Sequence, residues 1–192
     1  KYSFNEIGVT HEQNLILPHV HKNDLFEVWK LLDRANLSTP NIGLISDTIC
    51  CPGMDYCALA TARSIPISKK ITEHFKKYDQ QGSIGDLKIK ISGCINACGH
   101  HHVGNIGILG LDRNGEEYYQ ITLGGSATEK SSIGKIVGPS FSSEEVIQAI
   151  DKIIRVYLLK RKSKKENFLQ TFNKIGLEPF KKKLYDNKSK QN

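Results

Sequence analysis

No stretch of the sequence approaches the roughly 18 to 20 consecutive apolar residues that a membrane-crossing helix requires. The best candidate, Ile153-Ile154-Arg155-Val156-Tyr157-Leu158-Leu159, is short and carries Arg155 inside it, so no membrane span is expected. The N-terminal Lys1-Tyr2-Ser3-Phe4-Asn5-Glu6 lacks the charged-then-apolar order of a secretion signal, which points to a cytoplasmic setting. Methionine is nearly missing: the only one is Met54 and the chain opens on Lys1, which suggests a fragment or processed product. Five cysteines, an odd number, in a chain with no sign of secretion disfavour a disulfide framework and favour metal ligation or catalysis.

The composition that remains, 39% hydrophobic and 24% charged, is enough for 192 residues to close a core, which excludes wholesale disorder. Lys+Arg 27 against Asp+Glu 20 leaves a net charge of +7. Such a balance suits anionic partners of several kinds.

The patterning mixes both kinds of secondary structure, so the fold class expected is α+β. A strand over Leu15–Val20 leads to an amphipathic helix with Leu25, Val28, Leu31 and Leu32 on one face, ending near Ala35-Asn36-Leu37 before Pro40. Ala58–Arg63 favours a helix, and Ile71, Phe75 and Tyr78 mark another. Leu87-Lys88-Ile89-Lys90-Ile91 alternates like a half-buried strand. Ile106–Leu111 and Tyr118–Leu123 flank Asn114-Gly115, the signature of a hairpin. Ser142-x-x-Glu145 has capping-box spacing ahead of a helix with Val146, Ile147, Ile150, Ile153, Ile154, Tyr157 and Leu158 on one face. A last helix carries Phe168, Phe172 and Ile175 and stops at Gly176.

Four cysteines fall into two pairs, Cys51-x5-Cys57 and Cys94-x3-Cys98. Structural zinc sites use tighter pairs, because both sulfurs must reach one ion about 2.3 Å away. Five intervening residues with Pro52 and Gly53 make a wider loop, better suited to a [4Fe–4S] cluster. Zinc and unbound cysteines remain open on spacing alone. Cys94 and Cys98 are one helical turn apart, and Gly93 and Gly99 beside them would let backbone approach a bulky cofactor. A helix after Cys57 would bring its N-terminal N–H groups to the site.

These pairs, set in Asp47–Ala60 and in Ile91-Ser92-Gly93-Cys94-Ile95-Asn96-Ala97-Cys98-Gly99-His100-His101-His102-Val103-Gly104, with Gln120–Ser126, Thr10–Leu15 and Gly138–Phe141 around them, cover nearly the whole chain. Together they resemble the C-terminal half of sirohaem-dependent nitrite and sulfite reductases, most of all the bacterial sulfite reductase haemoprotein (beta) component. The resemblance implies that residues 1–40 end a second ferredoxin-like half-domain, that 41–185 form a [4Fe–4S]/sirohaem-binding α+β domain, and that 186–192 are a disordered tail. It implies that Cys51, Cys57, Cys94 and Cys98 ligate a [4Fe–4S] cluster, with Cys98 also the proximal, bridging ligand of the sirohaem iron. Asn96 and the Gly99 amide are candidates for contacts around that cofactor.

The activity implied is assimilatory reduction of sulfite to sulfide, taking sulfur from +4 to −2. The electrons would come from a flavoprotein subunit or ferredoxin, and neither nucleic acid nor membrane is an expected partner. A sirohaem nitrite reductase and a non-catalytic four-cysteine metal module are the alternatives. Family members are much longer, so this chain alone would supply half a cofactor pocket and be inactive; no catalytic residue is assigned within it. Arg63, Lys130 and Lys135, near the motifs, are candidates to meet anionic groups.

Cys50 breaks the pair spacing and reads as a small buried hydrophobe. Three consecutive histidines cannot all face one site, so His100, His101 and His102 read as loop polar residues, with His101 and His102 minor candidates to deliver protons. Lys160–Lys165 carries no interleaved aromatics and reads as a solvated helix end. Gly124-Gly125 could admit cofactor or end a strand.

Overall fold

The computed structural model describes residues 1–186, apart from the side chains of Tyr78 and Asp79. The expected disordered tail lies, beyond Asp186, outside the described residues. The chain forms two compact units, one from Lys1 to Pro40 and one from Asn41 onward.

The first unit pairs β1 (Gly8–Val9) with β2 (Leu15–Ile16) antiparallel and then forms α1 (Leu25–Arg34). The strand expected over Leu15–Val20 is only two residues long, since Pro18 can give no ladder hydrogen bond. The helix ends where expected, Ala35 donating back to the last turn. Of its apolar face only Val28 is buried.

The second unit is built on one sheet. Its strands are β3 (Ile49–Cys50), β4 (Ile89–Ser92), β5 (Ile106–Arg113), β6 (Glu116–Leu123), β7 (Lys135–Ile136) and β8 (Phe141–Ser142). The path runs β3-β4-β5-β6-β7, with β8 also on β6. β3, β4 and β5 are parallel, whereas the β5–β6, β6–β7 and β6–β8 pairs are antiparallel. The expected hairpin is present: Arg113 pairs with Glu116, and Asn114 and Gly115 both take the positive φ of a two-residue turn. The strand read as half-buried is so, with Leu87, Ile89 and Ile91 fully buried and Lys88 and Lys90 between them partly exposed, and it lies between β3 and β5 in the sheet. Lys88 is partly covered, its ammonium 3.2 Å from the buried Asp47 carboxylate.

Helices α2 (Ile65–His74) and α3 (Tyr78–Ile84) connect β3 to β4, and α4 (Glu145–Lys160), α5 (Phe168–Ile175) and α6 (Glu178–Tyr185) complete the unit. The capping pair is made in full: Ser142 N–H donates to Glu145 at 3.1 Å and Glu145 N–H to Ser142 Oγ at 3.3 Å. α4 buries Val146, Ala149, Ile150, Ile153, Ile154 and Tyr157 in the single core that also takes Ile89, Ile91, Ile106, Ile108 and Phe75. Sequence patterning missed α6, a short helix whose sign was Pro179 in its first turn and Phe180 four residues before Leu184. Among the described residues no helix is long and apolar enough to cross a membrane.

Candidate metal centre

Adjacent parallel strands open a crevice beyond their carboxyl ends, where ligand sites of such sheets form. Both cysteine loops leave from there. Cys51 follows the last residue of β3, and Gly93-Cys94 follow the last residue of β4, its register neighbour. The loops interlock. Cys51 N–H donates to Ile91 O at 3.1 Å, while the Thr61 and Ala62 amides donate to Gly93 O at 2.9 and 3.0 Å. Thr61 Oγ1 adds bonds to Gly93 O and to Gly110 O on β5.

Those bonds explain a departure from the sequence reading. Ala58–Arg63 is not helical, because the amides of Thr61 and Ala62 serve the neighbouring loop rather than an i−4 carbonyl. The helix begins at Ile65 instead, and Ser64 ahead of it places Oγ 3.4 Å from Cys51 Sγ. A helix start therefore does reach the cysteines, at Cys51 rather than Cys57. Nor do Cys94 and Cys98 share a helical turn: Ala97 N–H bonds to Cys94 O, Ala97 has φ +57°, and the segment is a succession of tight turns.

Cys51 Sγ accepts a hydrogen bond from Gly93 N–H at 3.1 Å, the kind of contact by which proteins tune a metal-bound sulfur. Cys51 and Cys94 are buried, Cys57 is half-buried and Cys98 is exposed; none forms a disulfide. Asn96 is exposed, and its carbonyl lies 4.0 Å from Cys98 Sγ. The Gly99 amide donates to Ser92 Oγ at 3.2 Å. The flanking glycines are occupied by the protein's own backbone: a Cβ on Gly93 would lie 2.6 Å from Ala62 O, and one on Gly99 would overlap Ile91 O. Gly124 and Gly125 likewise give way to the Phe172 ring and to the carbonyls of Gly104 and His102.

Among the described residues no group of three His, Cys, Asp or Glu side chains is drawn together around one point as a single ion requires. In a [4Fe–4S] cluster each thiolate meets its own iron, so the four sulfurs need not share one ion. The all-sulfur donor set, two buried and two accessible thiols on interlocked loops, fits an iron–sulfur group on these grounds.

Sequence reasoning missed the outer anchor of the first loop. Arg63 Nε donates to Asp55 Oδ1 at 3.1 Å, its amide donates to Glu117 Oε2 at 2.7 Å, and its Nη1 also pairs with Glu117. Tyr119 Oη lies 2.9 Å from both Arg63 O and Glu117 Oε2. Burial pushes the Glu117 carboxyl upward, but the Arg63 amide, the Tyr119 hydroxyl and the guanidinium together hold it below its ordinary range. The charge of Arg63 is thus already met by two carboxylates, while Lys130 and Lys135 are exposed. No spacing in the sequence signals a contact between residues 63 and 117.

Cys50 is half-buried against the core, and burial is the main cause raising its thiol, with Ser68 opposing. His101 is buried and its Nδ1 meets no partner among the described residues, whereas His100 and His102 are exposed. Burial first, and the His102 charge second, lower the His101 imidazole from 6.5 to about 4. A base held below its unfolded value folds with fewer protons bound. Its stability contribution is therefore whole above about pH 6.5 and lost as pH falls toward 4. The thermal midpoint should drop between about pH 7 and pH 5, and His101→Gln should flatten part of that drop; equal slopes in both proteins would contradict the assignment.

A family model described as the nitrite and sulphite reductase 4Fe-4S domain matches residues 44–192. The sulfite reductase [NADPH] hemoprotein beta-component of Bacillus pumilus is 23% identical over 172 residues, 88% of this chain and 29% of that protein. The chloroplastic ferredoxin–nitrite reductase of Spinacia oleracea is 25% identical over 160 residues, 80% of this chain and 26% of that protein. The chain thus spans less than a third of the length of these curated relatives. The structure of the Mycobacterium tuberculosis NirA protein aligns over 91% of this chain and 33% of its own, with a TM-score of 0.74 and 22% identity, a likeness of fold.

Proposed function

The chain belongs to the nitrite and sulphite reductase 4Fe-4S domain family, and from that premise we propose that Cys51, Cys57, Cys94 and Cys98 ligate a [4Fe–4S] cluster in a sirohaem-dependent sulfite reductase. The observation that carries the reading is the interlock of the two cysteine loops beyond the carboxyl ends of β3 and β4. Cluster and sirohaem, when bound, would relay electrons from an external donor to the substrate.

The residues of this chain bind and orient. Cys51 is fixed by the sheet through its own amide and by the Gly93 N–H at its sulfur. Cys94 is buried, one residue beyond the Gly93 whose amide meets Cys51. Cys98 is exposed, and its thiol is the one that would be left to hold the sirohaem iron. Sulfite is the proposed substrate and nitrite the alternative, since relatives named for each match at similar identity. The donor is proposed to be a flavoprotein subunit or ferredoxin, and the net charge of +7 would favour an acidic donor and anionic substrate.

The test is Cys98→Ser in a full-length protein carrying both cofactors. Sulfite turnover should fall more than about a hundred-fold, the loss that follows when even the outer contacts of a metal site are removed. The spectroscopic coupling between cluster and haem should vanish with it. A variant that keeps the coupling would refute Cys98 as the shared ligand, and faster turnover of nitrite than sulfite by the native protein would favour the alternative substrate.

A further inference from the structure

The two cysteines of the first pair are held by different means. Cys51 is anchored to the sheet by backbone and sulfur. The hydrogen bonds at Cys57 stay within its own loop, its amide donating to Gly53 O at 2.9 Å and its carbonyl accepting from Ala60 N–H at 3.1 Å. What ties this part of the loop to β6 is Arg63. Its guanidinium reaches Asp55, two residues before Cys57, on one side and Glu117 of β6 on the other, while its amide and carbonyl meet Glu117 and Tyr119.

We propose that Arg63 is a positioning residue that, through the Asp55–Arg63–Glu117 clamp, holds Cys57 in place before any metal arrives. The role rests on the reading of Cys57 as a cluster ligand. Only an arginine fork can serve both carboxylates at once; lysine offers a point charge. The Arg63 side chain is 50% exposed, so each ion pair alone is weak. The amide and hydroxyl bonds to Glu117 make the network, rather than one pair, the restraint. Its effect is therefore local: loss of the clamp should free the loop around Cys57 and leave Cys51 and the core where they are.

The test compares the native chain with Arg63→Lys and Glu117→Gln. In the metal-free proteins, brief iodoacetamide labelling is read cysteine by cysteine by mass spectrometry. Both variants should label Cys57 about five-fold faster relative to Cys51, the scale of a modest loss in local stability, with unchanged circular dichroism. After anaerobic reconstitution with ferrous iron and sulfide, both should release iron to a chelator faster by a similar factor. An unchanged Cys57-to-Cys51 ratio, or an equal rise at every cysteine, overturns the clamp. Faster labelling with unaltered iron release overturns its role toward the cluster. A native chain that takes up no iron sinks the ligand reading and with it this role, while the labelling ratio still reports whether Arg63 restrains Cys57.

Discussion

Alanine at position 99 is expected to destabilise the protein by more than about 4 kcal/mol, enough to leave it largely unfolded. A Cβ there would overlap the Ile91 carbonyl oxygen, come within 2.7 Å of its carbon and lie 3.2 Å from Cys51 N. All three neighbours are backbone, so no side chain can swing aside. Moving them would break the Cys51 N–H to Ile91 O bond that seats the first cysteine loop on the sheet. Gly82, inside α3 with nothing within 4 Å of a built Cβ, is the counter-case: alanine there should gain about 0.5–1 kcal/mol by restricting the unfolded chain. Urea denaturation of both variants checks the pair, and a Gly99→Ala protein as stable as the native one would show that the loops are not packed as described.

Removing the Phe168 ring is the other large effect. Phe168 is fully buried, with ring centroids 5.5 Å from Tyr157, 5.9 Å from Phe180 and 6.3 Å from Phe172. It thus joins α4, α5 and α6. Phe168→Ala should cost about 3–5 kcal/mol from lost burial and the cavity left behind. The thermal midpoint should fall by about 10 °C. The ring of Phe172 also fills the space over Gly124, so the sheet end would loosen with the helices. A loss below about 1 kcal/mol would mean that the site collapses without strain.

The parts of this fold that were legible in the sequence are those set by local chemistry. The Asn114-Gly115 hairpin, the Ser142–Glu145 cap and the face of α4 each depend on residues within a few positions of one another. What was misread depends on distant partners. Ala58–Arg63 has helical composition, yet its amides are claimed by Gly93 O. Cys94 and Cys98 have helical spacing, yet Ala97 turns left-handed between them. Of the proposed centre, the sequence shows the two cysteine pairs. The Gly93 N–H at Cys51, the Ser64 hydroxyl and the Arg63–Glu117 clamp could not be read there, because their partners lie 13 to 54 positions apart in the sequence.

The central claim is that the four paired cysteines form one iron–sulfur centre. Iron, acid-labile sulfide and zinc analysis of anaerobically prepared protein tests it most directly. The account predicts iron and sulfide in the equal amounts of one [4Fe–4S] cluster per chain, both lost in Cys51→Ser and in Cys94→Ser. One zinc per chain with neither iron nor labile sulfide would contradict it.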